Sequence, residues 1–147
     1  MPKIGASLAD VSTEYVLIEP DVYEFKLDKI EVTDKDQLAE DPEKKKQKEY
    51  LFISKVDMPG NDHHGKPVRD YVYLYKKDGT YNEYSLAQIK RYGIAIVGEE
   101  RVNDDDFDTD ELLHGRFLAE VYIDNWKNEK KKTEGQSNKL KNISPLA

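Results

Sequence analysis

The chain contains no cysteine. That excludes disulfides, thiolate zinc sites and cysteine nucleophiles, and is compatible with a reducing compartment. No run approaches 18 consecutive apolar residues, so no membrane-spanning helix is expected. Residues 1–20 lack the apolar stretch of a secretory leader, so none is expected there. An excess of positive charge is also lacking. The formal net charge is −7 and the pI about 5.0, whereas a phosphate-binding surface calls for a basic face.

What is present is charge of both signs, unevenly placed. Charged residues make up 36% of the chain, against about 25% in an average globular domain. With 147 residues, this balance suits one core with long charged loops, not two cores. Eight acids and one base, Arg101, fall within residues 99–111. Six lysines and two acids, Glu129 and Glu134, fall within 125–147, and six bases with three acids within 66–91. The local field decides where a polyanion can sit, so the net charge alone does not exclude one.

Residues 1–19 carry few signals and read as an N-terminal arm, leaving 20–147 as the domain. Tyr23, Phe25 and Leu27 alternate with Glu24, Lys26 and Asp28, the period of a half-buried strand. The next apolar residues are Ile30 and Val32. That slip of one predicts a bulge or bend near Asp28-Lys29, and a long bent first strand suits a small barrel. Residues 34–48 are polar and read as a long loop. Strands are expected over 50–56 and 68–75, joined by the turn chemistry of 60–65. A helix follows, with Ser85 and Gln88 at capping-box spacing, Leu86, Ile89 and Gly93 on one face, and Gly98 as its stop. After the acidic run, residues 116–124 alternate with Phe117, Ala119, Val121 and Ile123 on one side. Residues 127–137 read as a basic loop and 139–143 as a short last strand. Three strands, a helix and two strands is the order of an OB-type fold. The expected class is therefore mainly β: a five-stranded barrel with one helix between strands three and four and long charged loops.

The third strand carries the most chemistry. Arg69, Tyr71, Tyr73 and Tyr75 share one face, about 6–7 Å apart, opposite Val68, Asp70, Val72 and Leu74. Such a row offers π-faces on which bases stack regardless of sequence; ordinary packing of tyrosines on a sheet is the plainer alternative. Trp126 precedes Lys130, Lys131 and Lys132, which pairs a stacking ring with phosphate-neutralising charge. Lys44, Lys45 and Lys46 in the first long loop are further phosphate contacts. The other candidates are weak. His63, His64 and His114 lack metal-ligand spacing. Asp104, Asp106 and Asp108 begin a calcium-loop spacing, but Thr109 and Gly115 stand where glycine and glutamate are required. Gly60 and Gly65 are not followed by Gly-Lys-Ser/Thr. No nucleophile–base pair stands out, so neither a catalytic residue nor a cofactor is expected.

The segment Val68-Arg69-Asp70-Tyr71-Val72-Tyr73-Leu74 is followed by a helix and an acidic stretch. Leu112-Leu113-His114-Gly115-Arg116-Phe117 and Ala119-Glu120-Val121 come next, and Asn138-Lys139-Leu140-Lys141-Asn142-Ile143-Ser144-Pro145 ends the pattern. Over roughly residues 20–146 this resembles a broad family of bacteriophage single-stranded-DNA-binding proteins with an OB-fold. The resemblance implies coating of exposed strands in phage DNA replication, recombination or repair, in the cytoplasm of an infected bacterial host. It also implies replication or recombination proteins as partners, with homo-oligomers left open. Many such proteins end in an acidic recruiting tail. Here the end follows a basic loop, so the internal acidic run is the candidate substitute. Two other functions compete: an acidic OB-fold protein–protein adaptor or DNA mimic, and a metal-dependent nuclease using Asp104, Asp106 and Asp108. An acidic run on the tyrosine face would favour the adaptor.

Overall fold

The first strand, β1 (Val22–Lys35), is long because it serves two partners. The computed structural model describes residues 17–35, 47–76 and 80–146. Over 22–26, β1 pairs antiparallel with β4 (Arg116–Asn128), and over 25–35 with β2 (Gln47–Val56). The register against β2 shifts between Leu27 and Lys29. This is the bulge that the apolar phase slip predicts: Phe25 and Leu27 point into the core, and beyond Asp28 the even-numbered Ile30 packs against it, while Val32 at the far end of the strand is exposed. At the bend Leu27 is held from the β4 side. Its N–H donates to the Gly115 carbonyl at 2.9 Å, and its carbonyl accepts from His114 N–H at 2.7 Å.

β3 (Pro67–Tyr73) pairs with the outer side of β2, and β5 (Thr133–Ser144) with the outer side of β4. The result is one five-stranded antiparallel sheet of order β3-β2-β1-β4-β5. The bulge adds right-handed twist, and the sheet curls until Cα atoms of β3 and β5 come within 8 Å. The two strands are not hydrogen-bonded neighbours, so the sheet remains open along this seam.

Helix α1 (Glu83–Ile96) lies between β3 and β4 in the chain and packs on β3, β4 and β5. It starts earlier than the Ser85/Gln88 spacing predicts. Asn82 is the cap, its side chain accepting from Tyr84 and Ser85 N–H. An asparagine cap satisfies the same orphan donors as serine does, so Ser85 is free to turn into the core. Leu86, expected on the buried face, is exposed instead, and Tyr92, Gly93 and Ala95 are buried. The helix stops at Val97, with Gly98 at φ 96° as expected. Gly93 allows close approach of the segment that follows the helix, since a Cβ there would lie 2.3 Å from a Val102 methyl.

The core is aromatic. Tyr92 stacks on Phe52 of β2 at 5.0 Å between ring centroids and meets Phe117 of β4 edge-on at 5.5 Å, while Phe117 stacks on Phe25 at 5.7 Å. Ile18, before β1, is also fully buried. Its N–H and C=O are both taken by the Asn138 side chain of β5, at 2.7 and 2.9 Å. Among the described residues no helix is long and apolar enough to cross a membrane.

Two expectations about loops need correction. Residues 127–137 are not a loop: β4 and β5 continue as a ladder to Asn128↔Thr133, closed by a four-residue turn. This ribbon is largely solvated, so it carries no apolar alternation to betray it. The stretch between the helix and β4 is not one acidic loop either. It contains a second short helix, α2 (Glu99–Val102), and a 3-10 turn (Thr109–Leu112) whose Leu112 is fully buried.

Tyr92 is the point where helix and sheet lock. Its hydroxyl donates to Asp70 Oδ2 of β3 at 2.8 Å. Burial first, and then the neighbouring Asp70 carboxylate, push the Tyr92 phenol well above its ordinary 10.0. A raised value in the folded state means that this stabilisation is whole below the unfolded-state value and is lost as pH rises beyond it. Tyr92→Phe is expected to cost about 1.5–3 kcal/mol at neutral pH, the worth of a hydrogen bond to a charged group. Denaturant unfolding should also find the wild type losing stability above pH 10.0 more steeply than the variant.

Candidate nucleic-acid interface

The alternation of β3 places Val68 and Val72 in the core and turns Arg69 and Tyr71 outward, where both are exposed; Tyr71 keeps 54% of its surface. Tyr73 ends the strand half-buried, opposite the buried Glu49 of β2. Tyr75 lies beyond the strand in an isolated bridge with Tyr81, their rings 5.1 Å apart. The four-residue row is thus split: Arg69 and Tyr71 are open, Tyr73 is partly covered, and Tyr75 is packed on a neighbouring ring.

Arg69 and Tyr71 border two clefts along the β3–β5 seam. The larger has a volume of about 500 Å³ and runs between β3, α1 and β5. Arg91 and Gln88 come to it from α1, Tyr122 from β4, and Lys139 and Lys141 from β5. The second cleft, about 270 Å³, continues along the seam past Pro67 to Gln136 and Ser137. Tyr122 and Lys139 are directly paired across the β4–β5 ladder, which puts both on its outer face. Lys141 Nζ lies 5.4 Å from the Tyr122 ring centre.

Among the described residues, Asp70 is the sole acid bordering the larger cleft. Its Oδ2 accepts from Tyr92 and also from Gln88 Nε2 at 2.9 Å. The Gln88 carbonyl oxygen in turn accepts from Arg91 at 3.0 Å. A relay therefore runs from the core through Asp70 and Gln88 to the Arg91 guanidinium. Lys139 faces Asp124 at 3.6 Å and Lys141 faces Glu120 at 3.0 Å, both pairs substantially exposed. Exposed pairs of this kind are weak and exchange easily.

Trp126 and Lys130, Lys131 and Lys132 border neither cleft. They lie farther out on the β4–β5 hairpin, with the lysines exposed in its turn. Trp126 is four residues from Tyr122 on the same outward row of β4, about 13 Å along the strand. It is paired with Gly135, and the missing side chain there lets the indole lie across β5: a Cβ would fall 2.4 Å from the ring. Lys44, Lys45 and Lys46 fall outside the described residues.

The acidic run closes on itself. Arg101 bonds Glu111 and Asp106 at 2.7 Å each and faces Asp104 at 3.4 Å. Its hydrogen bonds hold the Asp106 and Glu111 carboxyls below their usual range. No residue of 99–111 borders either cleft. Among the described residues, no group of three or more histidines and carboxylates is arranged to hold a metal ion. His63 and His64 are occupied in the β2–β3 turn, His64 Nδ1 accepting from Met58 N–H at 3.1 Å.

Arg91, Tyr122, Lys139 and Lys141 are additions to the residues that the sequence singles out. The lysines alternate with Asn138 and Leu140, so their outward face was readable; that this face meets β3 depends on the curl. Compared with known proteins, the chain matches no family model, no curated protein and no solved structure.

Gly135→Ala tests the setting of the indole. The ring is 43% exposed and free to move away, so global stability should change by less than about 1 kcal/mol. The tryptophan emission should shift to the red as the ring leaves the strand surface. An unchanged spectrum would mean that the ring does not rest on Gly135.

Proposed function

We propose that this chain binds single-stranded DNA without strong sequence preference, along the outer face that runs from the β4–β5 hairpin to Tyr71. In this reading the curled sheet is an OB-type barrel with its seam between β3 and β5. The chain acts like the phage single-stranded-DNA-binding proteins it resembles, coating strands during replication, recombination or repair in an infected cell. The observation that carries the reading is the pairing of Arg69 and Tyr71, outward and exposed, with a basic seam. A ring to stack on and a cation for the phosphate are what a flexible strand needs at each step. Trp126 and the lysines of the hairpin turn extend the same chemistry outward.

The segregation of charge supports this. Asp104, Asp106 and Glu111 are gathered on Arg101, and no acid of 99–111 borders the seam clefts, so the −7 net charge is compatible with a locally attractive field. Of the tyrosines, Tyr71 is the stacking residue to test first, because Tyr73 and Tyr75 are less open.

Fluorescence titration with a thymidine oligomer is the direct experiment. Tyr71→Ala should weaken binding by about 1–3 kcal/mol, or about 5- to 150-fold. Affinity should fall linearly with salt on logarithmic axes, with a slope of about 0.7 per phosphate neutralised. A Tyr71→Ala variant that binds like the wild type would remove the stacking assignment.

A further inference from the structure

We infer that the cleft between β3, α1 and β5 takes one nucleotide turned out of the strand, its base against Tyr71 and Tyr122 and its phosphate on Arg69 and Arg91. This rests on the single-stranded-DNA reading and adds to it a built pocket beside the open track. The volume of about 500 Å³ is in the range of sites that enclose small ligands. Among the described residues, two arginines, two lysines and two tyrosines border it, against one acid. That acid, Asp70, is turned to the helix by Tyr92 and Gln88, so it orders the wall instead of cancelling the pocket's charge.

Arg91 is the telling residue. An exposed arginine on a helix is ordinarily loose, but this one is bonded to Gln88, which is bonded to Asp70, which is bonded to the buried Tyr92. Among the described residues neither Arg91 nor Arg69 has a carboxylate partner in an ion pair. A guanidinium held in place with N–H groups to spare suits the forked geometry of a phosphate. Tyr122 with the Lys141 ammonium 5.4 Å from its ring centre repeats the combination of a flat ring and a cation.

Lys90 provides the control. It is exposed, adjacent to Arg91, carries the same charge, and does not border the cleft. With a thymidine oligomer in a salt series, Arg91→Ala should bind about tenfold or more weakly, with the salt slope reduced by about 1. Lys90→Ala should bind nearly as the wild type does, and Arg91→Lys should recover only part of the loss. All three should melt with the wild type, because neither side chain is buried. Photo-cross-linking of a 5-iodouracil oligomer should label Tyr122 as well as Tyr71. Equal losses for Arg91→Ala and Lys90→Ala, or labelling of Tyr71 without Tyr122, would overturn the pocket while leaving strand binding intact. A wild type that retains no oligomer would overturn both.

Discussion

One additional residue in β1 governs the shape of the molecule. A strand that kept its register would present Phe25, Leu27, Lys29 and Glu31 to one face, and half of that face would be charged. The shift between Leu27 and Lys29 brings Ile30 against the core, with Val32 following on the same side but exposed, at the point where the partner of β1 changes from β4 to β2. Leu27, bonded to His114 and Gly115 on one side and aligned with Ser54 on the other, is the pivot. Without that bend the sheet would be an open ribbon, with β3 and β5 as its far edges. With it the edges approach without pairing, and residues nearly seventy positions apart in the chain, Tyr71 and Lys139, border one cleft.

The helix stabilises that curl in a different way. Tyr92 fills the space between Phe52 and Phe117 and carries its hydroxyl to Asp70 on the β3 edge. An aromatic ring supplies apolar area and a polar tip needs a partner, so one side chain both fills the core and locates the seam. The same carboxylate then sets Gln88 and, through it, Arg91. Core packing and the charge pattern of the proposed binding face are in this way coupled through a single aspartate. Within 99–111, Asp104, Asp106 and Glu111 are held by Arg101 and Asp108 closes a capping box with Glu111. That segregation lets an acidic protein present a basic seam.

Much of this was legible in the residues, for identifiable reasons. The bulge was visible because period-2 alternation makes any slip a change of face. That Arg69 and Tyr71 share a face opposite Val68 and Val72 was visible from the period-2 alternation; which of the two faces is buried was not, since tyrosines and valines both suit a core. The β4–β5 ribbon was not visible, since a solvated two-stranded ladder needs only backbone pairing and a turn. The start of α1 was misplaced because two cap signals, Asn82 and Ser85, stand three residues apart and only packing chooses between them. Arg91 and Tyr122 were missed because their role arises from the meeting of β3 with β5, which no local pattern encodes. Lys44, Lys45 and Lys46 lie outside the described residues and add nothing to the geometry.

The central claim is that a bend in β1 brings two distant edge strands together to form a nucleic-acid surface. Backbone amide shifts of the labelled protein, followed during titration with a thymidine oligomer, address it most directly. The account expects the perturbed amides to cluster in 67–73 of β3 and 136–143 of β5, with Arg91 and Tyr122 among them and 99–111 undisturbed. Perturbations centred on 99–111, or confined to one of the two edge strands, would contradict it.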